Sequence, residues 1–512
     1  MNPSLTGVPS GHRSGSPQRR AVIVLFSVAL LIPCFWQSRI QAGDLSSHIY
    51  NCWLATLIGQ GKAPRLWISA QSNNVLFDLI LEWLFKRVGP GLAQRLAVSA
   101  SVLVFGWGAV LFISRATRDA NWWFVMPCVA MLAYGFIYHM GFFNFYLSLG
   151  VCLWYLAIVW RNNWKVRAMA TPLLLLAWIA HPFPVVWALG TAIYAGAALS
   201  FEPRRRLPLV TLALFALVVA RYALTRRYWY SWSINQASLV IGTNQIVLYG
   251  AKYVLLSASL LLIWLVLFRS LVRECGMADL ILTLPFQLWL LNAAAVLLIP
   301  DREMFPQFGL PFGYIADRLS LMAALSACAV VAAARPGTFE KVGVALIAVL
   351  FFGFLYVDSR ALNRLEDRVD VAVARLPPGQ RVISSIPPWS SRLSSAQHAV
   401  DRACIGRCFS YANYEPSSRQ FRVRAQPGNG IVLDNFADIN AVQTGTYIVQ
   451  NRDLPIYLLY ECGPKGGNVC TRSLQAGEIA WEGTDRQSND ALARGRQSCA
   501  QTAGLFPLAG PH

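Results

Sequence analysis

Four polar residues follow the first long apolar run at helical spacing. They are Asp44, Ser47, His48 and Asn51, within Gly43-Asp44-Leu45-Ser46-Ser47-His48-Ile49-Tyr50-Asn51. Read as a helix, positions i, i+3, i+4 and i+7 form one polar stripe. Leu45, Ile49, Trp53 and Leu57 form the opposite, apolar stripe. Asp44 is the only acidic residue before Asp78. An aspartate with a histidine one turn later, beside a membrane span, suits a general base, a ligand or a metal site. The plainer alternative is that Asp44 caps a surface helix and His48 sits in a polar crevice.

Other chemistry-bearing residues are sparse. No Asp, Glu, Lys or Arg occurs between Ala120 and Trp160, yet His139 and Asn144 sit in a short turn there. His181 lies at a second such turn. Each reads by itself as a hydrogen-bonded interfacial histidine. With His48, they are three of only six histidines, and the topology argued below puts all three on one face. The stretch Thr225-Arg226-Arg227-Tyr228-Trp229-Tyr230-Ser231-Trp232 mixes arginine forks with aromatic faces. That mixture suits phosphate and sugar, or a headgroup-level aromatic belt. Arg302 and Arg318 flank a charged loop. Arg318 either reaches a lipid phosphate or pairs with Asp317 or Asp301.

These residues must be positioned by membrane helices. The chain is 55% hydrophobic and 13% charged, with mean hydropathy +0.44. Soluble proteins carry about 25% charged residues, so half that fraction points to the bilayer. Lys and Arg outnumber acids 44 to 25. We read the excess as charge placed by topology, with no nucleic-acid partner. About eleven candidate spans fall near 21–38, 96–114, 121–138, 142–160, 169–181, 183–200, 207–223, 248–268, 280–299, 319–334 and 342–357. The fifth and sixth are short and meet at His181-Pro182-Phe183-Pro184, as a broken, re-entrant pair would. The first follows Arg13, Arg19 and Arg20 with no A-x-A cleavage site, so it reads as a retained span.

Alternate connections carry the basic residues: Arg115 and Arg118; Arg161, Lys165 and Arg167; Arg204, Arg205 and Arg206; Arg269 and Arg273; Arg335 and Lys341. That side, with the 1–20 tail, is expected to be cytoplasmic. The 39–95 loop and the chain after 358 are then outside. In that first outer loop, Gly59-Gln60-Gly61 marks a helix stop. A second amphipathic helix over 75–87 carries Asp78, Glu82 and Lys86 on a face expected to be solvated. Its apolar face, with Leu79 and Trp83, suits the membrane surface.

After Ser359 the spans stop. A helix over 360–376 is broken by Pro377-Pro378-Gly379, and strand-like runs follow at 381–386, 430–433, 446–450 and 455–460. The fold class is therefore an α-helical polytopic membrane protein, with a transmembrane domain over 21–358 and an extracytoplasmic α/β or α+β domain over 359–512. Five of eleven cysteines lie in that tail: Cys404, Cys408, Cys462, Cys470 and Cys499. An outward tail favours disulfides. Cys404 with Cys408 and Cys462 with Cys470 are the local pairs, though four cysteines allow three connectivities. A zinc reading of Cys404 and Cys408 has only His398 nearby to support it. No P-loop, G-x-G-x-x-G, H-E-x-x-H or G-x-S-x-G occurs, and no internal repeat is evident.

One N-terminal span, then an outer loop opening Gly43-Asp44-Leu45-x-x-His48 and continuing as two amphipathic helices, resembles the GT-C superfamily of integral membrane glycosyltransferases. A closer likeness is to bacterial GT-C-like membrane proteins of unassigned function, which carry D-L-x-x-H here with a downstream glycine, as at Gly59 or Gly61. The resemblance covers about 20–358 and is strongest over about 40–62. It implies a bacterial inner-membrane enzyme that moves a sugar from a polyprenyl-phosphate donor to an acceptor on the outer face. Asp44 would be the base of an inverting transfer. Arg318, Arg302 and Arg226 would be candidate partners for the departing phosphate. Many relatives have an acidic residue in the second outer loop, where this chain has His139 and Asn144. The resemblance leaves room for a divalent metal, and a His48/His139/His181 cluster is the substitute ligand set. The competing reading is a non-catalytic polytopic protein, for transport or envelope assembly, whose outer domain binds a partner. A GT-C fold that has lost catalysis is a third.

Overall fold

The computed structural model describes residues 17–117, 122–160, 164–387, 392–393, 395–463 and 467–482. Arg13, Arg118, Arg161 and Cys499 lie outside them. The helices are α1 (Pro17–Phe35), α2 (Leu45–Gly59), α3 (Leu76–Ala116), α4 (Met126–Ala133), α5 (Phe136–Met140), α6 (Phe143–Val159), α7 (Trp164–Ala180), α8 (Pro182–Ser200), α9 (Arg206–Arg227), α10 (Ala251–Cys275), α11 (Met277–Ile281), α12 (Leu284–Leu298), α13 (Ile315–Ala332) and α14 (Thr338–Ala374). Three short ones follow: α15 (Ala399–Cys404), α16 (Glu415–Ser418) and α17 (Phe436–Gln443).

Among the described residues, seven helices are long and apolar enough to cross a membrane, by length and composition. Three shorter apolar helices and α7 fall on the remaining expected spans. The chain is an α-helical polytopic membrane protein. The apolar segments divide by what surrounds them. All but one residue of α13 is buried, from Ile315 to Ala332. On α9 only Val210 is buried, and Leu212 and Phe215 are exposed. An apolar helix left bare inside a membrane protein faces lipid. Helices α3 and α6 approach closely where Gly108 meets Gly150. A Cβ on Gly108 would lie 2.7 Å from the Gly150 carbonyl oxygen, and small residues permit such crossings. The broken pair is real: α7 and α8 are separate helices joined at His181, which is extended (φ −166°).

Helix α14 runs on past the last span without a break and ends before Pro377-Pro378. The tail then builds a four-stranded mixed sheet from β4 (Arg381–Ser384), β5 (Phe409–Ser410), β7 (Ile456–Cys462) and β8 (Asn468–Ser473), in the order β5-β4-β7-β8. Both β5 and β7 run parallel to β4, and β8 is antiparallel to β7. Two small ribbons stand apart. β1 (Leu66–Ile68) pairs antiparallel with β6 (Val423–Ala425), and β2 (Trp229–Ser231) with β3 (Arg302–Met304). The β1–β6 pair ties the tail directly to the chain between α2 and α3. Both local disulfides are formed, Cys404–Cys408 and Cys462–Cys470, which removes the zinc reading. Two expected strands are corrected. In the run 430–433, Ile431, Val432 and Leu433 are buried but form no strand, and 446–450 offers only the isolated bridge of Ile448 with Ile479. Each lies beside asparagines or glycines that turn the chain instead.

Candidate active site around Asp44

Asp44 sits where two backbone segments touch. The Gly43 amide donates to the His139 carbonyl (2.8 Å) and the Asp44 amide to the Met140 carbonyl (3.1 Å). Glycine is needed on both sides of this contact. A Cβ on Gly43 would lie 2.9 Å from the Met140 oxygen. Gly141 ends α5 at φ +83°, and a Cβ there would collide with the Asp44 nitrogen. The turn at 139–144 thus clamps the start of α2.

Asp44 does not cap α2, for its side chain makes no cap hydrogen bond. It faces His398, whose Nε2 lies 3.6 Å from Asp44 Oδ1. The Tyr414 hydroxyl lies near enough to act on the same carboxylate. Its side chain nevertheless keeps 21% of its surface open, whereas His398 keeps 7%. Burial raises the Asp44 proton affinity, and His398, His48, the Tyr414 hydroxyl and Arg318 oppose that rise. His398 in turn is held by Asp401 (Nδ1 to Oδ2, 2.9 Å), and Asp401 accepts the Ser410 hydroxyl. Carboxylates on both sides push the His398 proton affinity up against its burial.

The polar stripe of α2 is real, but it faces protein rather than water, because every residue from Leu45 to Cys52 is buried. Ser47 donates to Glu415 Oε1 (2.9 Å), and Asn413 donates to Asn51 Oδ1 (2.9 Å). His48 Nδ1 meets Asp78 Oδ1 at 2.6 Å, with Glu415 at 4.0 Å. Asp78 and the carboxylates around it push the His48 proton affinity up to about 10. Asn144 donates to Asp78 Oδ2 (2.7 Å) and accepts the Phe77 amide (2.8 Å), so it anchors the start of α3. The solvated face expected for Asp78 and Glu82 is corrected. Asp78 is 15% exposed in its ion pair, and Glu82 binds Lys86 and, from the tail, Arg422. The tail covers that face, so these acids meet cations in place of water.

The three arginines separate. Arg318 is buried, its guanidinium 4.4 Å from the Phe142 ring centre and 4.8 Å from that of Phe312. It donates to the Gly313 carbonyl. It pairs with neither expected acid: Asp317 pairs with Arg392 (3.3 Å), and Asp301 accepts the Ala316 amide. Arg318 lies within electrostatic reach of Asp44. Arg302 is half-exposed, 3.8 Å from Asp301 and over the Tyr314 ring. Tyr314 holds a left-handed backbone (φ 57°), an uncommon state for a tyrosine and one that clusters at functional sites. Arg226 is exposed and rests on Tyr222, with no contact to Asp44.

The histidines separate too. His48 belongs to Asp78, His139 to the Tyr249 hydroxyl (3.2 Å), and His181 caps α8 by accepting the Phe183 amide (3.1 Å). Among the described residues no group of three or more His, Cys, Asp or Glu is arranged to hold a metal ion. The donor set does not fit one. His398, Asp401, Tyr414 and Glu415, all from the tail, were not singled out from sequence as site residues. The local signal was His398-x-x-Asp401, a spacing too common to stand alone.

No family model matches the chain, and no curated protein matches it. The chain is similar to a solved ArnT. The crystal structure of ArnT from Cupriavidus metallidurans in the apo state aligns with 12% identity and a TM-score of 0.43, over 87% of this chain and 93% of that one.

Proposed function

We propose that the protein is an inverting membrane glycosyltransferase that uses a polyprenyl-phosphate-linked sugar, with Asp44 as general base. One observation carries this reading. A carboxylate with an open side is held on the 139–144 turn, and a buried arginine that no carboxylate pairs, among the described residues, packs on Phe142 of that same turn. The transfer asks for those two groups. The acceptor oxygen attacks the anomeric carbon while the carbon–oxygen bond to phosphate breaks, its electron pair leaving with the phosphate. The acceptor proton passes to Asp44. Arg318 meets the charge that grows on the phosphate, in a setting lined by Phe142, Phe145 and Phe312 where water screens little. Arg302, half-exposed beside Tyr314, suits an earlier contact with the incoming phosphate. His48 holds α2 in register through Asp78 and stands behind Asp44. Donor, acceptor and the outward orientation of the site belong to the same proposal.

The test uses the purified full chain in liposomes with a panel of synthetic polyprenyl-phosphate pentoses and hexoses. The readout is release of polyprenyl phosphate. Asp44→Asn keeps the shape and removes the proton acceptor, so release falls by about 10²–10⁴-fold while donor binding persists. Unchanged release in Asp44→Asn rejects Asp44 as the base, and no release with any donor favours the non-catalytic reading.

A further inference from the structure

We infer that His398, held by Asp401, is the positioning residue for Asp44: the tail sets the orientation and charge of the base through a carboxylate–imidazole–carboxylate chain. The inference rests on reading Asp44 as a proton acceptor. Its geometry is a closed circuit. Asp44 precedes α2. His398 Nε2 stands 3.6 Å from it, and His398 Nδ1 stands 2.9 Å from Asp401. Asp401 accepts the Ser410 hydroxyl, and the Ser410 amide donates to the Tyr50 hydroxyl (3.0 Å), back on α2. Tyr50, Ser410, Asp401 and His398 are all buried. Asp44 is the one member left partly open.

A purely structural account fits this circuit poorly. Burying two carboxylates and an imidazole costs more than an apolar filling of the same volume. His398 precedes α15 and caps no backbone amide there; its Nδ1 goes to the Asp401 side chain, which leaves Nε2 for Asp44. With Asp401 taking the Nδ1 proton, the nitrogen facing Asp44 is Nε2. A neutral ring would turn a lone pair toward the Asp44 carboxylate, whereas an imidazolium turns a proton. The two flanking acids therefore select the cation. That cation faces Asp44 Oδ1, and the carboxylate keeps part of its surface open for an acceptor hydroxyl. It also keeps Asp44 ionised where burial would neutralise it.

Other groups face the pair. His48 and Arg318 act on Asp44 as cations, the Tyr414 hydroxyl lies near it, and Glu415 and Tyr314 complete its surroundings. Asp401, Asp44 and Glu415 face His398.

The experiment is an infrared pH titration of the full-length protein in liposomes. The protonated-carboxyl C=O stretch that disappears in Asp44→Asn reports Asp44. In His398→Gln its proton affinity rises about tenfold or more, the effect expected from removing a cation within contact distance. Asp401→Asn moves it the same way by a smaller step. If His398→Gln does not fold, Asp401→Asn supplies the same reading with the imidazole retained, and Asp401→Glu restores the wild-type midpoint. An Asp44 band unmoved in both His398→Gln and Asp401→Asn overturns the inference. A moved band together with full polyprenyl-phosphate release in Asp44→Asn upholds the coupling and rejects Asp44 as base, so the two failures are distinct.

Discussion

His48 Nδ1 and Asp78 Oδ1 stand 2.6 Å apart, thirty residues distant in sequence, and their contact joins the first turn of α2 to the first turn of α3. Asn144 fixes Asp78 from the other side. Breaking such a buried pair strands a charge, at a cost of about 3–5 kcal/mol. Asp78→Ala is therefore expected to destabilise the protein by about that amount, read from thermal unfolding in detergent micelles. His48→Ala in the same background should add little, because its partner is already gone. Fully additive losses in the double variant would show that the contact does not hold the two helices.

Glu415 gives the stability its pH dependence. Burial pushes its proton affinity up to about 7, against the pull of His48. An unfolded glutamate titrates near 4.3, so between that pH and about 7 the folded state holds more protons than the unfolded one. Stability from this group is full at the acidic end and falls as pH rises through that window. His48 acts over a second window: its contribution is full below about 6.5 and is lost as pH rises from there through about 10. Melting temperature measured from about pH 5 to about 6.5, below the His48 window, should slope downward in wild type, and Glu415→Gln should flatten that slope. An unchanged slope would assign it to other groups.

The helices were legible because bilayer length and apolar composition leave few alternatives. The motif at Asp44 was legible because four polar residues recur at helical spacing after an apolar run. What escaped the sequence is long-range. Ser47 meets Glu415 across 368 positions, and His398 reaches Asp44 from the far side of the transmembrane domain's sequence. No local pattern encodes such a meeting. Asp78 and Glu82 looked like a solvated stripe because a carboxylate pattern is the same whether water or Arg422 faces it. The three histidines shared a predicted side of the membrane, but side is a coarse coordinate. Distinct turns hold them on Asp78, Tyr249 and the Phe183 amide.

Gly141 is expected to be intolerant of any side chain. Its φ of +83° disfavours other residues, and a Cβ would press on the Asp44 backbone. Gly141→Ala should cost about 1–3 kcal/mol from the backbone conformation alone. Because the displaced atom belongs to the proposed base, polyprenyl-phosphate release should fall more than stability does. Gly61→Ala is the comparison: φ is +70° there, but nothing lies near its Cβ. Equal losses of release in the two variants would separate the clamp from the chemistry.

The last prediction concerns sidedness. If the eleven apolar helical segments among the described residues each cross, the tail lies across the membrane from residue 20. Two independent features choose which side is which. Basic residues crowd the connections after α3, α6, α8, α10 and α13, and such clusters stay cytoplasmic. The tail carries Cys404–Cys408 and Cys462–Cys470, bonds that persist in an oxidising compartment. The six cysteines elsewhere are unpaired, and all but Cys275 are buried. Charge and redox chemistry have no reason to agree unless topology sets both. Reporter fusions after Arg206 and after Gly379 should therefore report opposite compartments, cytoplasmic and outside respectively. Peptide mapping of nonreduced protein from native membranes should recover both disulfides. Fusions reporting one compartment would remove the topology argument, free thiols at all four positions would remove its redox support, and swapped compartments would overturn the proposal that Asp44 works on the outer face.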